Sequence, residues 1–290
     1  MGHARHTPTG ADARLVTHGR VSPRNAAAVA LLTLAMVHAN ANIATAQERP
    51  HTSAVPWAAG EYLEYSLKLG VFTAGSGRMQ VVGRDTARGR PAWRFRFEFS
   101  GGIPFFRVDD SYDSWLDAET LHSLRFEQRL NELGKRRHRV YEIFPERAIY
   151  QRFSPPKSVP EEERTSVLEP LDDASFFFFI RTIPLEVGKS YDFNRYFDDR
   201  ANPVTIRVLR RDTVEVPAGT FPAIVIQPMI KTNGIFSEGG HAELWLSDDE
   251  RRILLQMKSK VPLIGSLNLY LRKLTLPPLS PGDSSRPKRR

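Results

Sequence analysis

The side chains best equipped for acid–base or metal chemistry in this chain are its eight histidines and its carboxylates, because it has no cysteine and so no thiol nucleophile, thiolate ligand or disulfide. His3, His6, His18 and His38 crowd the N-terminus. His51, His122, His138 and His241 remain, and none has the spacing of a metal-binding pair. Gly240-His241-Ala242-Glu243 lacks a second histidine four residues on, which excludes a zinc-peptidase helix. Ala74-Gly75-Ser76-Gly77 resembles a nucleophile elbow only superficially and reads as a strand-end turn. No phosphate-cradling glycine loop precedes a helix.

Carboxylates are the remaining candidates for catalysis. Asp109-Asp110 with Asp113, and Asp248-Asp249-Glu250, would suit glycan hydrolysis if two of them converged within about 5 to 10 Å across a cleft. Neighbouring residues of a strand face opposite ways, so neither cluster is a site by itself, and turn formation explains both. The alternating loop of a calcium site is missing. The sequence thus selects no reaction; a noncatalytic envelope protein without metal or cofactor, binding an apolar or polymeric ligand or a partner protein on a curved β scaffold, is the leading expectation, and a cell-wall glycan hydrolase or an envelope assembly or structural factor are the alternatives.

The other possible functional groups are aromatic. Trp93, Phe95 and Phe97, joined by Trp115, Phe178 and Trp245, are the candidate ligand-binding residues, able either to fill the inner side of a curved sheet or to line an apolar cavity there. Lipid, glycan or an envelope protein are the partners such a surface would suit.

The elements that must position them have a period of two. Trp93, Phe95, Phe97 and Phe99 alternate with Arg94, Arg96 and Glu98, so one face of this strand is aromatic and the other charged. Burying the four rings is worth roughly 6 to 12 kcal/mol, which fixes the register, since a one-residue slip would bury the charges. Similar alternation recurs at Tyr65 to Leu69, Val140 to Phe144, Ile206 and Val208, Leu244 and Leu246, and Leu267 to Leu271. Pro217-Ala218-Gly219 reads as a hairpin turn, with Pro presetting φ and Gly taking the left-handed position. The expected fold is all-β: a single antiparallel, strongly curved sheet, or an open barrel or sandwich, of about 12 to 13 strands with one short helix.

That helix starts at Asp172 or Asp173 as cap, runs to Thr182 or Ile183, and is ended by Pro184. Phe176, Phe179, Ile180 and Ile183 form one buried face; Phe178 points the other way. It either plugs the sheet or offers Phe178 to a partner, lipid or ligand. Residues 154–169, rich in Pro and Glu, read as a surface loop.

The formal charge of +8 is unevenly spread: residues 1–46 carry +3, the tail from Asp283 carries +3, and the domain between keeps only +2. That balance argues against nucleic-acid binding. Arg20 and Arg24 precede the apolar run Ala26–Val37, and Ala44-Thr45-Ala46 offers a signal-peptidase site. Twelve apolar residues are too few to span a bilayer, which takes about 20. The expected organisation is a signal peptide with a long basic leader over 1–46, a linker over 47–58, a β domain over 59–276 and a disordered basic tail over 277–290. No transmembrane span remains after cleavage, and the protein is expected in the periplasm or secreted, with attachment at the outer membrane compatible.

Several pieces occur together in a fixed order: Gly60-Glu61-Tyr62-Leu63-Glu64-Tyr65, Ala74-Gly75, Gly89-Arg90-Pro91-Ala92, Phe105-Phe106-Arg107-Val108-Asp109, Tyr112-Asp113-Ser114-Trp115-Leu116-Asp117 and Leu124-Arg125-Phe126-Glu127. Asp172 to Arg181, Pro217-Ala218-Gly219-Thr220-Phe221 and Trp245 to Arg252 follow. In this order they resemble the DUF3108 family of exported bacterial proteins over most of residues 59 to 274. The resemblance implies an all-β periplasmic or surface protein and brings no catalytic residues with it.

Overall fold

The computed structural model describes residues 55–279 apart from 71, 104–105, 133–134, 158, 231–240 and 262–264. Residues 1–46, expected as a signal peptide, the expected linker up to residue 54 and the expected tail beyond residue 279 lie outside the described residues. Fourteen strands form one sheet: β1 Tyr62–Leu69, β2 Phe72–Ala87, β3 Arg90–Ile103, β4 Phe106–Asp117, β5 Ser123–Glu132, β6 Lys135–Phe144, β7 Ile149–Phe153, β8 Arg164–Thr165, β9 Ser190–Phe193, β10 Val204–Val216, β11 Gly219–Met229, β12 His241–Ser247, β13 Leu254–Val261 and β14 Gly265–Thr275. Every pairing is antiparallel, and each strand neighbours its successor in sequence with one exception. β14 returns to pair with β1, so the two edges of the sheet are β8 and β9.

The expected all-β antiparallel architecture is what the chain adopts, as an unclosed meander. The additional strands are short. β8 has two residues and lies inside the stretch read as a loop, where backbone pairing of Tyr150 with Arg164 and of Ile149 with Thr165 extends the edge. Between the two edge strands in sequence runs the segment 166–189, which carries the one α-helix among the described residues, α1 Ser175–Phe179. Its length is five residues rather than the ten or so expected, because turns replace helix after Phe179. Beyond β9, Leu171 and Tyr196 form an isolated parallel bridge that ties the inserted segment down.

The alternation of β3 holds. Trp93, Phe95 and Phe97 are buried on the inner face, and Phe178 of α1 stacks on Phe95 with ring centroids 3.7 Å apart. Trp57, in the stretch read as a linker, is 2% exposed and meets Trp93, Phe95 and Phe178 edge-on, so the packed domain starts before residue 59. The glycines of Ala74-Gly75-Ser76-Gly77 serve strand approach, not catalysis. A Cβ on Gly75 would stand 2.2 Å from the Ser100 carbonyl oxygen, and one on Gly101 2.1 Å from that of Ala74. Pro217 and Ala218 connect β10 to β11, with Gly219 at φ +137°.

Two buried polar centres fix the inserted segment. Asp172 accepts hydrogen bonds from the backbone N–H groups of Ala174 and Ser175 and from the hydroxyls of Ser114 and Ser123, the last two at 2.6 and 2.7 Å. Asp172, one of the two expected caps, thus satisfies the N–H groups leading into α1, although the residue directly flanking the helix is Ala174. At the other end of α1, Arg181 and Glu61 form an ion pair at 2.6 Å, each side chain 2% exposed. Arg181 also donates to the carbonyls of Pro56 and Arg251, which satisfies the guanidinium where water is excluded. Among the described residues no helix is long and apolar enough to cross a membrane.

Candidate functional site: a tyrosine–arginine cleft at the open edge

Cross-strand partners share a face, so the register reads out what the inner surface presents. One row runs Phe95 on β3, Ser114 on β4, Phe126 on β5, Tyr141 on β6 and Arg152 on β7. The next runs Phe97, Tyr112, Gln128 and Arg139, and a third takes Ile143 to Tyr150 and Arg164. The inner face is therefore aromatic beneath α1 and becomes hydroxylated and cationic towards the open edge.

There a cleft of about 400 Å³ is lined by Tyr141, Tyr150, Arg152, Arg164, Tyr196, Phe197, Asp198, Arg200 and Ala201. Phe197 packs against Tyr141 and Tyr150 with centroids 5.2 and 5.1 Å away and forms the floor. The opposite wall follows β9, where the 3-10 turn Asp199–Ala201 is capped by Asp198. Asn202 locks this wall by accepting from the Tyr196 backbone N–H at 2.9 Å and donating to the Tyr196 carbonyl at 2.9 Å.

The guanidinium groups differ in how firmly they are held. Arg152 grips Glu161 through two contacts of 2.8 and 2.6 Å, and the hydrogen bond from Arg152 holds the Glu161 carboxyl below its usual range. Arg200 pairs with Asp198 at 2.9 and 2.7 Å, its hydrogen bonds likewise lowering Asp198. Arg164 stands 4.0 Å from Glu161 and bonds the Tyr150 hydroxyl, with half its side chain exposed. Burial, and then the nearby Asp198 carboxylate, push the Tyr150 hydroxyl above its ordinary value, so it stays a neutral donor. Three arginines, Asp198 and four aromatic rings line the cleft, with Glu161 paired to Arg152, Asp199 beside Arg200 and Asp173 accepting from the Tyr196 hydroxyl at 2.8 Å. It can hold an anionic group beside the arginines and apolar matter on the floor.

Trp93, Phe95, Phe97 and Phe178 come together, all at most 7% exposed, under the plug and away from solvent. Trp115 sits in a separate small cluster with Ala87, Ala92 and Leu124, and Trp245, though part of the main buried cluster, makes no ring contact with them. The expectation that both would face the inner side is corrected by register: Trp115 pairs with Arg94 and Arg125, and Trp245 with Val225 and Gln256, on the opposite face. Trp115 donates to Asp85 at 2.9 Å and Trp245 to Asp212 at 3.0 Å, and arginine side chains cover both rings. Asp109 and Asp113 lie four residues apart on β4, about 13 Å at the rise of a strand, too far for an acid–base pair. Asp113 is moreover enclosed by Arg94 and Arg96. Asp248 is tied to Arg211 in the β12–β13 turn, and neither it nor Glu250 lines the cleft. Among the described residues no group of three metal-ligating side chains exists.

The cleft residues were missed because they come from four separate stretches of chain. The available signal was Arg139, Tyr141 and Arg152 at positions that the pairing turns inward.

Fold and site together define an all-β protein built on one unclosed antiparallel sheet, with a short helix packed on its aromatic inner face and a cleft at the open edge. The chain belongs to the DUF3108 family, described as proteins of unknown function, whose pattern matches residues 64–272. Among solved structures it is similar to a β-barrel-like DUF1849 protein from Brucella abortus, with 14% identity and a TM-score of 0.48 over 78% of this chain and 100% of that one. It is also similar to a candidate lipoprotein from Parabacteroides distasonis, with 10% identity and a TM-score of 0.29 over 77% of this chain and 99% of that one. A candidate exported protein with a YmcC-like fold from Bacteroides fragilis shows 9% identity and a TM-score of 0.28 over 77% of this chain and 100% of that one. Likeness at these identities carries no activity across. No curated protein sequence matches the chain.

Proposed function

We propose that this protein is a noncatalytic binding protein of the bacterial envelope whose ligand is an amphipathic anion held in the edge cleft. The observation that carries this reading is the meeting of Tyr141, Tyr150, Tyr196 and Phe197 with the half-exposed Arg164 in a cleft of about 400 Å³. Each charge-assisted hydrogen bond from a guanidinium is worth about 1.5 to 3 kcal/mol, and each buried methylene about 0.8 kcal/mol, so a headgroup with a short chain suffices for micromolar binding. The basic leader, apolar run and Ala44-Thr45-Ala46 support delivery outside the cytoplasm.

The test is solvent extraction of protein purified from the envelope fraction, followed by mass spectrometry. An acidic amphiphile retained by the wild type and depleted from Arg152→Ala/Arg164→Ala is expected. Extracts without such a species, or identical from both proteins, would contradict the reading.

A further inference from the structure

The two halves of the sheet repeat one another, bond for bond. Gly60 and Gly188, at φ +84° and +85°, donate to the carbonyls of Val81 and Val208, both at 2.8 Å, and the N–H groups of those valines return to the carbonyls of Glu61 and Lys189, both at 2.9 Å. Arg84-Asp85-Thr86 on β2 recurs as Arg211-Asp212-Thr213 on β10, each following a bulge that begins at the valine. Each aspartate accepts from the N–H of the threonine after it and from the indole N–H of a tryptophan two strands away, Trp115 or Trp245. Three residues after each tryptophan, Ala118 and Asp248 donate to the carbonyls of Pro91 and Pro222, both at 3.0 Å. Strands β1 to β6 therefore correspond to β9 to β14.

One half thus serves as an internal comparison for the other. β14 pairs with β1, while its counterpart β6 pairs with β7 beside the open edge. Both junctions hold one tyrosine, Tyr65 paired with Leu271 and Tyr150 paired with Ile143. Beyond it the β14–β1 junction is apolar, with Leu269 opposite Leu67 and Leu267 opposite Leu69. At the same places β6 has Tyr141 opposite Arg152, and then Arg139. Tyr141 and Arg152 line the cleft, and Arg139 stands on the same face about 7 Å further along the strand, half-buried. Among the described residues Arg139 forms no hydrogen bond or ion pair, and it acts on the Glu161 carboxyl only through space. Its cross-strand partner Gln128 is 9% exposed, with a side-chain oxygen, Oε1, that nothing bonds. The other half puts Leu267 opposite Ser259 there, and the Ser259 hydroxyl is satisfied by the Leu267 carbonyl at 2.6 Å. A buried acceptor without a donor costs stability, so its place beside an uncompensated guanidinium points to a ligand.

We infer that Arg139 and Gln128 extend the cleft and bind the polar head of its ligand, an anionic oxygen at the guanidinium and an O–H or N–H donor at the Gln128 oxygen. The extension presupposes the cleft proposed above as the ligand site and adds what selects the head. Where the repeated unit keeps leucine, the junction is only packed; where it has arginine and tyrosine, it recognises.

Calorimetric titration with dodecyl phosphate compares the full-length wild type with two variants. Arg139→Leu installs the residue of the corresponding strand, and Arg136→Leu removes one charge from the exposed, opposite face of β6. Affinity about tenfold lower in Arg139→Leu and unchanged in Arg136→Leu is expected, as for loss of one charge-assisted hydrogen bond, with the melting temperature of Arg139→Leu at or above that of the wild type. Wild-type affinity in Arg139→Leu overturns the inference and leaves the cleft standing. Equal losses in both variants reduce the effect to net charge, and a lowered melting temperature in Arg139→Leu assigns the residue to the fold; either overturns it as well. No binding by the wild type overturns both the extension and the cleft.

Discussion

Asp172 shows how one buried carboxylate can organise a connection. It is completely enclosed yet accepts four hydrogen bonds, and burial still pushes its carboxyl above the usual range against the pull of Ser114, Ser123 and the Ala174 and Ser175 N–H groups. A carboxylate whose folded value lies above its unfolded one, about 3.9, contributes most below that unfolded value and loses the contribution as pH rises through the folded value. Asp172→Asn keeps an acceptor for both backbone N–H groups and removes the titration. Urea unfolding across a pH series is therefore expected to show the wild type losing stability relative to Asp172→Asn as pH climbs out of the acid range. A difference that is constant with pH would refute this account of the residue.

At the scale of elements, α1 depends on its packing. Five residues cannot sustain a helix alone, so the stack of Phe178 on Phe95 and its edge contact with Trp57 hold it in place. Phe178→Ala should cost about 3 to 5 kcal/mol by denaturant titration, because the cavity opens between two layers that cannot collapse together. A loss within experimental error would mean that the plug is not load-sharing. The same elements show what the sequence can and cannot reveal. Trp93 to Phe99 and the cap at Asp172 were legible because alternation and capping are local. The direction of Trp115 and Trp245 was not, since a tryptophan can lie on a charged face when Asp85 or Asp212 accepts its N–H and arginines cover its ring. β8 and β9, two and four residues long, carry too few side chains for any period to register and exist through pairing with β7 and β10.

For the domain as a whole, the decisive feature is that the sheet remains unclosed. Had β8 paired with β9, Arg152, Arg164 and Tyr150 would have been sealed into the interior; with 166–189 between the edges, they line an accessible cleft instead. Neither the open edge nor the cleft could be read from spacing, because Tyr141, Arg164 and Phe197 meet only after thirteen pairings are set. Calorimetric titration of the purified protein with dodecyl phosphate, a single-chain amphiphile with an anionic head, tests the cleft most directly. Saturable one-to-one binding, weakened roughly tenfold or more in Arg164→Ala as expected for loss of one charge-assisted hydrogen bond, is the predicted result. No heat of binding by the wild type, or an unchanged affinity in Arg164→Ala, would contradict it.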